Sequence, residues 1–448
     1  MISTISLSLS RSCLAAGAIA LALLSGCGST VEPEETPFAD AVAETDEGAS
    51  ALLSGLTREV VSGDIVHYTI DLDVGSTANA FLRIHRVVRE KSFGIPRKTQ
   101  GGVMLMHGDF ANFVTSFVPG LASDATDPDH GMAVYLASRG LDVWGFDRRW
   151  ASAPLDGADV SDFATMGFVE EIGDIGKALG FARAVRVLGG AGASKLTLAG
   201  FSHGGQLAYE YANVESQRPA WQRHVENLVP IDIYARLSPA DEDIRQSICG
   251  RIAEEQGFFD DGYIDSDNLF FRELGALAND APLDPSPYFD DVDNVHGLLI
   301  LVGQTYLFYA AQPNYHLAGT FLSGGLPSAP RFTSQGLIND WFANAPPHQS
   351  WLETVDGDRL WCGDAPLPIA DHYADIEVPL FYLGAAGGYG DHGLYSTTLV
   401  GSSDVTTHVI RLLDPADEAE DFGHGDLLFA DDAQALAWEP LADWILDH

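Results

Sequence analysis

The chain is poor in positive charge. It has 448 residues, with 24 Lys and Arg against 64 Asp and Glu, for a formal charge of -40 at neutral pH. Only Lys91, Lys98, Lys177 and Lys195 are lysines. With no basic stripe to neutralise phosphates, nucleic acid is excluded as an expected partner. The acids are scattered rather than run together. That pattern reads as a solvated surface whose self-repulsion is screened in salty surroundings; a cationic substrate is the alternative. The clustered acids of "DATDPDHG" lack the alternation of a calcium loop, and no metal is expected. Internal repeats are absent. What is plentiful is apolar surface: 46% of residues are hydrophobic and 10% aromatic, which excludes disorder along the whole chain. The length suits one large α/β domain with an insertion, or two domains.

Cysteine is scarce as well, at four residues. Cys13 and Cys27 flank the apolar run "SCLAAGAIALALLSGC", too short for a secure spanning helix. The run ends in Leu24-Ser25-Gly26-Cys27, which resembles a bacterial lipobox. The resemblance implies that residues 1–27 are a lipoprotein signal peptide and lipobox cleaved just before Cys27, which becomes the lipidated first residue, with export and a membrane anchor facing periplasm or cell surface; an ordinary cleaved secretory signal is the alternative. Residues 28–57 are polar, acidic and aperiodic, as a flexible tether would be. Export alters the reading of the other two cysteines. In an oxidising compartment Cys249 and Cys362 are available to pair. Chain-entropy models give a loop of more than about 100 residues about 4–5 kcal/mol. Two buried free thiols are the alternative.

From Arg58 the chain reads as two β segments, "VVSGDIVHYTIDLDV" and "NAFLRIHRVVRE", divided by a Gly-Ser turn. Strands and helices then alternate: "GGVMLMHG", "GMAVYLASRG", "LDVWGFDRR", "FVEEIGDIGKALGFARAV", "KLTLAGF", "GGQLAYEYA" and "ENLVPIDIY". Alternation of this kind predicts a mostly parallel, doubly wound sheet. It stops near Ala235 and resumes at "EVPLFYLGAAGG". The sheet is therefore expected in two parts, 58–234 and 377–448. Residues 235–376 are expected to form a large, mainly helical lid insertion, with a structural decoration as the alternative, and in it "GLLILVGQTYLFYA" reads as strand or buried helix.

The stretch "KLTLAGFSHGGQLAYEYA" carries the chemistry. A serine hydroxyl is a poor nucleophile unless a base lies within hydrogen-bond reach and the backbone projects it toward substrate. A sharp turn between strand and helix does the second, with Gly200 and Gly204 leaving room around Ser202 in a G-x-S-x-G elbow. The helix that begins here directs its N–H groups at negative charge developing beside Ser202, so the amide of His203 is the expected first oxyanion donor.

Together with "MLMHGDFANF", "YLASRGLDVWGFDRR" and "DFGHGDLLF", this elbow resembles the α/β-hydrolase superfamily in its lipase and esterase branches. The resemblance spans roughly Arg58–Tyr234 and Glu377–His448. It implies that the amide of Asp109 is the second oxyanion donor and that His107 braces its loop. The order Ser, acid, His favours His424 as the base; His408 sits inside a strand, and His392 neighbours a candidate acid. For that acid, Asp391 in "GGYGDHG" occupies the usual place. Asp232 is the reserve, and Asp414 lies too near the histidine loop. The expected function is hydrolysis of a small-molecule or lipid-like carboxylic ester through an acyl-enzyme, without cofactor. An amidase or aminopeptidase on the same fold, and a surface lipoprotein that only binds ligand, are the alternatives. The aromatics Phe258, Phe259, Phe270, Phe271, Tyr306, Phe308 and Tyr309 are expected either as the insertion's own core or as the lining of an acyl site.

Overall fold

Gly63, at φ 58°, turns the chain back inside the first expected β segment, so the two segments become three antiparallel strands: β1 (Thr57–Ser62), β2 (Ile65–Asp73) and β3 (Phe81–Ser92). The structure, a computed structural model, describes residues 56–308, 312–363 and 367–448. The signal segment, Cys27, the tether up to residue 55 and Tyr309 lie outside the described residues. A two-residue strand β4 (Ile95–Pro96) pairs with β3. β5 (Gly102–Met106) follows as the first of six strands that lie parallel to one another. The others are β6 (Asp142–Asp147), β7 (Leu196–Phe201), β8 (Val225–Ile231), β11 (Leu380–Ala385) and β12 (Val405–Ile410). Their spatial order is β1-β2-β3-β6-β5-β7-β8-β11-β12.

The apolar runs of the central strands follow from burial on both faces. In β5, Val103 and Leu105 point into one core, where they meet Leu136 of helix α1 (Met132–Ser138). Met104 and Met106 point into the other, against Ile175 of helix α2 (Phe168–Leu188) and Leu207 of helix α3 (His203–Ser216). The alternation is period two within a sequence that shows no polar residue, so register is set by packing on each side.

Between β8 and β11 the chain leaves the sheet. It forms helices α4 (Glu242–Asp260), α5 (Leu269–Asp280), α6 (Asn294–Gly303), α7 (Gln335–Ala343) and α8 (Trp351–Cys362), with a hairpin of β9 (Thr320–Ser323) and β10 (Leu326–Pro330). The ambiguous run "GLLILVG" is helix because Asp293 caps it, its carboxylate accepting the His296 N–H at 2.9 Å. Cys249 and Cys362 form a disulfide that joins α4 to α8 across 113 residues. The last helix, α9 (Glu439–Asp447), returns to the α1 face of the sheet through Leu441 and Ile445. Among the described residues no helix is long and apolar enough to cross a membrane.

Candidate active site

Every loop of the site leaves the C-terminal end of a parallel strand, where open α/β sheets bind ligands. At the end of β7, Ser202 adopts φ 56° and ψ -132°. A non-glycine residue pays strain there. The flanking glycines serve space rather than φ. A Cβ on Gly200 would lie 2.2 Å from the Gly204 carbonyl oxygen, and one on Gly204 would lie 2.5 Å from that of His107. Gly205 is equally confined, since its Cβ would lie 2.6 Å from the Gly200 oxygen. The strand, the turn and the first turn of α3 therefore pack backbone on backbone.

The loop after β5 runs against this elbow. A Cβ on Gly108 would lie 2.7 Å from Ser202 Cβ, so glycine is what brings the loop beside the serine. His107 is fully buried and its Nε2 accepts the Arg148 N–H at 3.1 Å. The proton must then sit on Nδ1, which donates to the Gly108 carbonyl at 2.8 Å. Burial, with Arg148 nearby, lowers the His107 pKa to about 4, as suits a neutral brace. Among the described residues, the backbone amides of Asp109 and His203 find no hydrogen-bond acceptor. The two side chains join instead: His203 Nδ1 lies 2.7 Å from Asp109 Oδ1. Burial alone would raise the Asp109 pKa; His203, Arg148 and Gln349 outweigh it and lower the value to about 2.

His424 arrives on the loop after β12, as the sequence suggests. It is buried and its ring stacks on Phe201 with centroids 4.4 Å apart. Two contacts set the height of its loop: the His424 N–H donates to the His316 carbonyl at 3.0 Å and the Gly425 N–H to that of Leu317 at 2.6 Å. His424 Nδ1 lies 2.7 Å from Asp232 Oδ2. Asp232, one residue beyond β8, is fully buried at φ 49°. Its carboxylate accepts the amides of Ala385 at 2.9 Å, Tyr389 at 3.1 Å and Gly390 at 2.9 Å. Each of its two oxygens thus meets two partners.

This corrects the assignment of the acid. Asp391 has a side chain 65% exposed and pairs with Arg411 at 2.9 Å. The glycine-rich loop after β11 supplies amides to the Asp232 carboxylate instead of a carboxylate to His424. His392 turns to Asp241 at 3.0 Å, and His408 Nε2 bonds the Leu436 carbonyl at 2.9 Å, so neither joins the site.

Ser202 and His424 open on one cavity of about 330 Å³. Its walls are largely aromatic: Phe110, Phe271, Tyr315, Trp341, Trp361 and Tyr389 contribute, with Phe270 and Phe308 among the insertion aromatics that the sequence singled out. Phe258 instead faces Trp351 with ring centroids 6.4 Å apart, outside the cavity lining. Tyr306 packs on the core. The sequence offered no local signal for the polar group in the cavity wall and behind it. There Asp109, His203 and Glu353 bring potential ligand atoms within 4.8 Å of one another. Arg148 already supplies the cation: it bonds Glu353 and Glu171, and its Nη1 lies 3.8 Å from Asp109. Burial, partly offset by Arg148 and reinforced by Glu171, holds the Glu353 carboxyl well above the usual range. A guanidinium in the centre makes this a poor metal site.

Against solved structures, the chain is similar to a Sulfolobus solfataricus protein with a provisional lipase assignment. The TM-score is 0.59 and the identity 13%, over 88% of this chain and 99% of that one. This chain has the α/β-hydrolase fold. Two further structures with weaker superposition are a Saccharomyces cerevisiae monoglyceride lipase (TM-score 0.40, 13% identity, 88% and 95% covered) and a Rhizomucor miehei esterase (TM-score 0.43, 12% identity, 97% and 96% covered). No family model matches the chain, and no curated protein matches it. Within the α/β-hydrolase fold, the elbow, the loop after β5 and the histidine loop all stand at one end of the sheet, and the insertion closes over them.

Proposed function

We propose that the protein is an exported serine hydrolase that cleaves carboxylic esters. One observation carries the reading. A serine held at positive φ shares an apolar cavity with an imidazole whose far nitrogen is fixed by a buried carboxylate. Ser202 attacks the acyl carbonyl while His424 Nε2 takes its proton. Asp232 keeps Nδ1 protonated and stabilises the imidazolium. The amides of Asp109 and His203 receive the oxyanion, each donor contributing about 3–4 kcal/mol to the barrier reduction. His424 returns the proton to the leaving alcohol. Water then repeats the sequence on the acyl-enzyme.

The aromatic lining favours an apolar acyl or aryl group. The cavity also touches Asp109 and Asp358, the two carboxylates that an aminopeptidase would offer to a substrate ammonium. Asp109 is engaged by His203 and Gln349, and Asp358 by Arg251. That engagement favours the ester reading over the amine one. Export rests on the N-terminal pattern ending at Cys27. A fluorophosphonate probe tests the whole reading: it should label the wild type and not Ser202→Ala. Folded wild type that resists labelling would favour a ligand-binding module. A panel of p-nitrophenyl esters beside aminoacyl anilides then separates esterase from peptidase.

A further inference from the structure

Gln349 belongs to the insertion, two residues before α8. It is buried, and both polar atoms of its side chain reach the loop after β5. Nε2 donates to Asp109 Oδ1 at 2.8 Å, and Oε1 accepts the Phe110 N–H at 2.9 Å. The orientation of the amide is forced, since a backbone N–H only donates and a carboxylate only accepts. One side chain therefore grips two consecutive residues of a loop that resists its own conformation: Phe110 stands at φ 40°.

The grip is firmly mounted. The Gln349 N–H donates to Asp265 Oδ1 at 3.1 Å, and its carbonyl accepts the Ser266 N–H at 2.8 Å. On one side His348 Nδ1 meets Asp265 Oδ2 at 2.6 Å, and on the other Ser350 Oγ donates to the Met166 carbonyl at 2.8 Å. Neutrality matters too. A carboxylate beside a developing oxyanion opposes it, and Gln349 and His203 Nδ1 together turn that of Asp109 onto themselves. Gln349 is not part of the cavity lining, so it has no direct hold on substrate.

We propose that Gln349 is a positioning residue through which the insertion fixes the oxyanion loop, so that oxyanion stabilisation depends on the docked insertion. The proposal rests on the serine-hydrolase reading. It separates kcat from KM. In Gln349→Met, which keeps volume and removes both hydrogen bonds, kcat on p-nitrophenyl butyrate should fall at least about tenfold, toward the roughly 10²–10³ typical of a lost donor, with KM within about twofold. Affinity for phenylboronic acid, which forms a tetrahedral adduct on the serine, should fall by the same factor as kcat. Gln349→Glu adds a signature that a merely structural role would not move. Its deficit relative to wild type should shrink as pH falls, because the introduced carboxyl, once protonated, again donates to Asp109. If the methionine variant does not fold, the near-isosteric Gln349→Glu variant carries the test. Wild type that labels at Ser202, with kcat retained in Gln349→Met or a pH-independent deficit in Gln349→Glu, overturns the proposal. Wild type that does not label at Ser202 overturns the hydrolase reading instead.

Discussion

The loops after β8 and β11 leave adjacent parallel strands at the same end of the sheet, and each offers an aspartate. Their environments could hardly differ more. Asp232 is fully buried with three backbone amides and an imidazole on its carboxylate. Asp391 extends into solvent beside Arg411. The loop that looks catalytic, rich in glycine with an Asp-His pair, is the cradle. The inconspicuous aspartate of "VPIDIY" is what it holds. The acid of a triad is recognised by what surrounds its oxygens, because donated hydrogen bonds offset the desolvation that disfavours a buried charge and fix the carboxylate that orients an imidazole.

Several substitutions put pressure on this contrast. The largest effect belongs to Asp232→Asn, which should lower kcat about 10⁴-fold, as expected when the imidazole is left in the wrong tautomer; steady-state kinetics on a p-nitrophenyl ester reads it. Breaking the cradle comes next. A Cβ on Gly388 would lie 1.9 Å from Asp232 Oδ2, so Gly388→Ala should displace the carboxylate and cost about 10–100-fold in kcat, given what a small misplacement of a catalytic group costs.

A smaller effect separates the site from the frame beneath it. Burial, with His85 beside it, pushes the His67 pKa down to about 3, and burial lowers that of His107 to about 4. The unfolded chain takes up these protons near pH 6.5 and the folded chain refuses them. Stability is therefore full above pH 6.5 and falls as pH drops toward 4, by about 1.4 kcal/mol per pH unit for each such histidine. Thermal melts across pH 7 to 4 should show the decline, and His67→Gln should flatten part of it. The smallest effect is Asp391→Asn, expected to leave kcat within about twofold and stability within ~0.5 kcal/mol.

Ser202 and His424 were legible because their signals are local. A strand, a turn that needs glycine and a helix all lie within one short stretch around Ser202, and the histidine loop follows the last strand. The acid was not legible in the same way. Asp232 and Asp391 both follow strands, and choosing between them requires knowing that the loop after β11 folds its amides back over β8. The positive φ of Asp232 is the local trace of that, and no residue type announces it. Gln349 lies further from reach: its partners are 239 and 240 residues away in the chain, and a glutamine ahead of a helix has many uses. For the two cysteines, the expectation of export made pairing reasonable, and the packing of α4 against α8 brings their Cα atoms to 5.1 Å.

The central claim is that Asp232, not Asp391, holds the base. A proton NMR spectrum of the wild type should show a strongly downfield Nδ1–H resonance from His424, identified by its loss in His424→Gln. It should persist in Asp391→Asn and vanish in Asp232→Asn. A resonance that survives Asp232→Asn and disappears in Asp391→Asn would contradict the account.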